Sequence, residues 1–245
     1  MSTGIYSAVS GAVAETRRLE ASANNLANAD TPGFKTERMA FSEVLSRATE
    51  DGRTKITPSF VAAVDSRMDL KQGAIRPTGN TLDFALQGNG FFAVETGGQK
   101  VFCRGGSFHI RKDGILTDVT GRTVLGAKDS PIKVGVNPIR LAVSEDGTIS
   151  TDQGPVGKFQ LVEFTNPAVL QRLGDNLVLA PPEAGMQEAK ATAVQQGFLE
   201  SSNVDSVKEM VAMILSSRAY QAFHRVISIF NEVDKSAASS VGQER

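Results

Sequence analysis

The residues best suited to chemistry are Cys103, His109, His224, two Asp-Gly pairs and the glycines around Asn89. A thiol close to an imidazole becomes a nucleophile when the imidazole draws off its proton. Here the run Cys103-Arg104-Gly105-Gly106-Ser107-Phe108-His109 matches no nucleophile motif. Val101, Phe102 and Cys103 instead read as strand residues, which predicts a buried or half-buried thiol with no catalytic role. Gly88-Asn89-Gly90 lacks the later glycine and the Gly-Lys-Ser/Thr step of a phosphate loop, and a strand-like run follows where a helix is needed, so it reads as a turn. Asp113-Gly114 and Asp146-Gly147 are not followed by the alternating oxygens and distal glutamate of a calcium loop. His224 has no second ligand at matched spacing, and Asp83, Asp113, Asp118 and Glu145 are scattered with nothing pairing them. The expectation is a chain without catalytic, metal or cofactor residues.

The elements around these residues are more informative. Ile5, Val9, Ala12, Thr16, Leu19, Ala23 and Leu26 recur at alternating gaps of four and three, the spacing of a helix that packs on another helix. Thr31-Pro32-Gly33 stops this helix near Asn28, because proline bars the helical region to its predecessor and Gly33 accepts positive φ. At the other end Val204, Val207, Val211, Ile214, Leu215, Ala219, Ala222, Val226, Ile229 and Val233 step by threes and fours. Asn203 or Asp205 can cap that second helix, and Glu209 suits its positive end. The two termini are therefore expected to pair as a coiled coil. Ala8, Gly11 and Ala12 permit close helix approach. A seam of Ala and Thr buries little apolar area, so the terminal helices are expected to order fully only when packed among neighbouring subunits.

Between them lies β structure punctuated by turns. Residues 91–95 and 100–102 flank Gly97-Gly98 as a hairpin, and the two Asp-Gly pairs mark further hairpins at 108–117 and 141–150. Residues 158–164 read as one more strand. The expected organisation is a helix over 1–30, an extended connector over 31–80, a β-rich domain over 81–185 and a helix over 195–240, with the polar stretch 49–58 inside the connector. The fold class is a mainly β central domain with long terminal helices, α+β overall.

Three runs carry a family resemblance. Asn24-Asn25-Leu26-Ala27-Asn28 followed by Thr31-Pro32-Gly33-Phe34-Lys35 resembles the N-terminal signature of the bacterial flagellar rod and hook proteins. Gln196-Gly197-Phe198-Leu199-Glu200-Ser201-Ser202-Asn203-Val204-Asp205, then Glu209-Met210-Val211 and Arg218-Ala219-Tyr220, resembles their C-terminal signature. Leu86 to Val94 and Arg104 to Phe108 resemble their central β domain. The match covers nearly the whole chain in order. It implies a structural subunit of the basal-body rod that packs through its terminal helices into a periplasm-spanning tube, with the β domain outside, passing torque to the hook. The short segment 41–82 resembles a proximal rod protein more than the alternatives, a distal rod or short hook-type protein; a Cys103-dependent enzyme is the remote alternative. The implied partners are copies of itself, other rod proteins and the flagellar type III export apparatus, through which such subunits leave without a cleaved signal.

Composition agrees. With 40% hydrophobic and 22% charged residues, 245 residues can bury one ordinary core. A net charge of −1 gives no electrostatic pull toward nucleic acid or an anionic membrane. No apolar run reaches membrane-spanning length, the N-terminus lacks signal-peptide features, and a single cysteine leaves no internal disulfide.

Overall fold

The computed structural model describes residues 2–50, 53–136, 140–174 and 176–242, with side chains placed at 4–39, 66–136, 140–174 and 176–236. The side chains of 49–58, read from sequence as connector, lie outside the described residues. The chain is mainly β with two helices, α1 (Ser2–Ala27) and α2 (Ser206–Gly242). In chain order the strands are β1 (Glu37–Glu50), β2 (Arg53–Met68), β3 (Ile75–Pro77), β4 (Phe84–Gln87), β5 (Phe91–Thr96), β6 (Gln99–Cys103), β7 (Phe108–Ile110), β8 (Leu116–Asp118), β9 (Thr123–Val124), β10 (Leu141–Val143), β11 (Thr148–Thr151), β12 (Gly154–Lys158), β13 (Leu161–Phe164), β14 (Gln171–Gly174), β15 (Leu177–Leu179), β16 (Met186–Glu188), β17 (Ala193–Gln196) and β18 (Phe198–Glu200). They sort into two compact units. A helical unit holds α1, α2 and the paired strands β1 and β2, and a β unit holds Asn28–Thr36 and Met68–Val204.

In the helical unit α1 offers α2 a face of small residues. A Cβ on Gly11 would stand 2.5 Å from the tip of Phe223, and one on Gly4 would stand 3.0 Å from Phe230. The two glycines and the two rings are each one heptad apart and pair in reverse order, so the helices run antiparallel. Ala8, Ala12, Ser22 and Asn25 of α1 and Ser216 of α2 are buried. Asn25 also ties the end of α1 to the start of β1: its Nδ2 donates to the Glu37 carbonyl at 2.9 Å, and its Oδ1 accepts from Glu37 N at 2.8 Å. Asp205 caps α2, its Oδ1 accepting from Lys208 N at 3.2 Å. Among the described residues no helix is long and apolar enough to cross a membrane.

The β unit is built on β5 and β6. Their turn at Gly97-Gly98 has positive φ at both residues, which matches the right-handed twist of the strands and sets Thr96 opposite Gln99. Alternation then sends side chains to two cores. Phe92, Val94, Val101 and Cys103 enter one cluster, while Phe91, Ala93 and Phe102 enter the other. In the first, the Phe92 ring meets Phe108 and Phe159 edge-on at 5.2 and 5.3 Å. The Asp-Gly hairpins form between β7 and β8 and between β10 and β11. Residues 158–164 are two strands instead of one: β12 ends at Lys158 and joins the β10–β11 sheet, whereas β13 starts at Leu161 and pairs with β5. Two more pairings join distant parts of the sequence, β4 with β17 and β3 with β18.

Candidate functional site

The segments that resemble family signatures converge inside the β unit on one buried carboxylate. Pro32 turns the chain into Gly33, whose φ of +72° excludes most side chains. A Cβ there would also lie 2.3 Å from the Gly105 nitrogen. Close approach lets Gly33 N donate to the Glu200 carbonyl at 2.7 Å. Phe34 is buried beneath the Arg172 guanidinium, which sits 4.3 Å from its ring centroid, a cation–π contact. Arg172 also donates to the Lys35 carbonyl, and Asn176, held at φ +63°, donates to the Pro32 carbonyl at 2.8 Å.

Lys35 points inward. Its Nζ bonds Glu200 Oε1 at 2.6 Å and the Lys71 carbonyl at 2.7 Å. Arg104, the residue after β6, approaches the same carboxylate, its Nε and Nη2 reaching Oε2 at 3.0 and 2.8 Å. Its remaining arm, Nη1, is held by the carbonyls of Gly88 and Gly90 at 2.7 and 2.6 Å. The Gly88-Asn89-Gly90 turn is therefore a carbonyl cradle for arginine. Gly73 N completes the shell of Glu200 Oε1 at 2.9 Å, and a Cβ on Gly73 would fall 1.9 Å from the Ser201 carbonyl. The side chains of Lys35, Arg104 and Glu200 are 4%, 2% and 0% exposed. Burial pulls the Lys35 ammonium below the ordinary lysine range, opposed by the charge and hydrogen bond of Glu200 and assisted by the nearby charge of Arg104.

Next to this knot Asn203 is saturated. Its Oδ1 accepts from Thr36 N and Oγ1, both at 2.7 Å, and its Nδ2 donates to the carbonyls of Asp69 and Lys71 at 2.8 and 3.0 Å. That occupation leaves the capping of α2 to Asp205.

Chemically the knot is closed. Each charged group is engaged by another or by backbone, so the arrangement fixes segments in register and offers no acid, base or open ligand position. Cys103 is buried beside it, and burial pushes its thiol up to about 12, far from the thiolate a nucleophile needs. No cluster suited to a metal ion occurs among the described residues.

The residues singled out from sequence divide between the units. In α1, Ala12 is buried, Ile5, Thr16, Leu19, Ala23 and Leu26 are half-buried, and Val9 is exposed. In α2, Ala219 is half-buried, whereas Val207, Val211, Ile214, Leu215, Ala222, Val226, Ile229 and Val233 are exposed, Val207 and Leu215 by 69% and 60%. Val204 falls in the β unit and is half-buried. Gly4 and Gly11 of α1 stand against Phe230 and Phe223 of α2, residues outside both stripes. Of the N-terminal signature, Asn25, Gly33 and Phe34 are buried, Leu26, Asn28, Thr31 and Pro32 are half-buried and Asn24 is exposed. Lys35, Arg104 and Glu200 each stand inside a family signature, and nothing in those runs says that they meet. The available signal was a lone charge at the end of each apolar run, Gly-Phe-Lys, Val-Phe-Cys-Arg and Phe-Leu-Glu.

Comparison with known proteins follows the same segments. Residues 5–35 match the model of the flagella basal body rod protein family, 85–151 the flagellar hook protein FlgE/F/G D1 domain, and 195–240 the flagellar basal body rod FlgEFG protein C-terminal. The chain is 34% identical over 223 residues to the flagellar basal-body rod protein FlgF of Rhizobium meliloti, covering 90% of each. It is 30% identical over 245 residues to FlgF of Caulobacter vibrioides, covering 99% of each. It is 28% identical over 257 residues to the flagellar basal-body rod protein FlgG of Bacillus subtilis, covering 95% of this chain and 97% of that one.

Proposed function

This chain belongs to the flagellar basal-body rod protein family as a structural subunit of FlgF/FlgG type, and we propose that it builds the proximal part of the rod. The observation that carries the assembly reading is the outward face of α2. Val207, Val211, Ile214, Leu215, Val226, Ile229 and Val233 leave an apolar stripe uncovered along a helix of roughly 55 Å. A stripe of that length marks an interaction surface. In this reading α1 and α2 pair as an antiparallel coiled coil through the glycine and phenylalanine contacts, and the stripe packs on copies of the chain and on other rod proteins. Burial at about 25 cal/mol per Å² then favours a continuous helical wall, the periplasm-spanning shaft that carries torque to the hook. The helical unit of α1, β1, β2 and α2 supplies the contacts between subunits, and the β unit of Asn28–Thr36 and Met68–Val204 is a separate body. The chain reaches the rod through the type III export apparatus without a cleaved signal, and it acts mechanically, not as an enzyme. The proximal position draws on the FlgF relatives, at 34%, 31% and 30% identity, against 28% to 30% for the FlgG relatives.

Mass spectrometry of detergent-extracted hook–basal bodies tests the reading. The chain is expected to co-purify, and its deletion to remove everything distal to the proximal rod. Intact filaments in the deletion strain would refute it.

A further inference from the structure

Two buried cations in the β unit share one carboxylate, and that carboxylate comes last in the chain. Lys35 precedes Glu200 by 165 positions and Arg104 precedes it by 96. By contrast, the β5–β6 and β7–β8 hairpins and the β10–β11–β12 meander close short loops. Loop-closure entropy favours those local elements first. Electrostatics adds a second reason. Without Glu200, drawing Lys35 and Arg104 inward buries two like charges that oppose each other, while Asp69 also attracts Lys35. The segment that brings Glu200 also closes backbone: β17 and β18 cover the edges of β4 and β3, and Ser201 N donates to the Ala74 carbonyl at 2.8 Å.

We propose that the Lys35–Glu200–Arg104 knot is a terminal latch: the β unit forms its hairpins first and closes only when the segment carrying Glu200 arrives. A chain whose C-terminal part has not yet been delivered, in synthesis or in transit through a channel, therefore stays open. The inference rests on chain order and burial and stands apart from the assembly reading.

Cys103, the single cysteine, lies next to Arg104 and is buried, so thiol labelling of the full-length chain reports opening of the β unit. Unfolding and refolding in urea are compared for the wild type and Glu200→Gln. A contact made after the transition state moves the unfolding rate, and one made before it moves the refolding rate. The expected result is unfolding faster by about tenfold or more with refolding within about twofold. Slowed refolding with unchanged unfolding, or no change in either rate, would overturn the latch. Should Glu200→Gln not fold, pulsed hydrogen exchange during refolding of the wild type decides. The amides of the Val94–Val101 pair are expected to gain protection before those of Gly33 and Gly73, which donate to Glu200. Simultaneous or reversed protection would overturn the proposal.

Discussion

Lys35 and Glu200, 165 positions apart in the chain, meet at 2.6 Å with both side chains closed to solvent. The contact joins the tail of the N-terminal signature to the middle of the C-terminal one. Arg104, from the central signature, holds the other oxygen of the same carboxylate. Three motifs that read as separate tags are thus parts of one buried site, and their spacing is explained by packing.

Arg104→Lys keeps the charge and loses the fork. A lysine cannot grip Glu200 Oε2 through two nitrogens while bonding the Gly88 and Gly90 carbonyls. The expected loss in urea unfolding of the β unit is about 2–3 kcal/mol. An unchanged midpoint would show that one charge suffices.

Gly33→Ala and Gly97→Ala place the same methyl at two positive-φ sites. At Gly97 no atom lies within 4 Å, so only backbone strain remains, about 1 kcal/mol. At Gly33 the methyl also meets the Gly105 nitrogen at 2.3 Å, and the expected loss is about 3 kcal/mol or more. Equal shifts in thermal midpoint would mean that the backbone around Gly105 gives way freely.

Burial of Cys103 sets a pH dependence whose sign is determined. The folded thiol titrates at about 12 against an ordinary 9.0, so it is raised on folding. Its contribution is fully present below pH 9.0 and is lost as pH rises toward 12, because the unfolded chain gives up its proton first. Relative to Cys103→Ala, the wild type should lose stability across that window. The ultraviolet thiolate signal of the folded chain should show no step near 9.0. A step there would mean that the thiol is open to water.

Gly11→Leu tests the contact between the helices. A leucine side chain cannot share the space of the Phe223 ring, and overpacking of this kind costs about 1–3 kcal/mol. Thermal loss of helix signal should come earlier while Cys103 stays protected. An unchanged helix transition would contradict the contact.

Much of the β unit is legible in sequence because its signals are local. Gly97-Gly98 and the two Asp-Gly pairs name their turns, and the unbroken apolar run Phe91 to Val94 names a strand buried on both faces. The knot was not legible, since Lys35, Arg104 and Glu200 become partners only when β3 finds β18 and β4 finds β17. Those strands are too short to announce their pairing. The facing of α2 is legible only in part. Its apolar residues run around much of the helix, so periodicity marks the richest stripe, Val207 to Val233, while the rings that meet α1 are Phe223 and Phe230 on another face. Gly4 and Gly11 hold that information, because a side chain at either would meet a ring.

Incorporation of a chain with Ile214→Asp and Ile229→Asp into hook–basal bodies decides whether subunits pack through the exposed stripe of α2. Both residues are exposed on α2, by 54% and 53%, and neither is part of the knot. The variant is expected to be made with its Cys103 protected, and to be missing from purified basal bodies in cells that no longer swim. Normal incorporation with normal swimming would contradict assembly through this face.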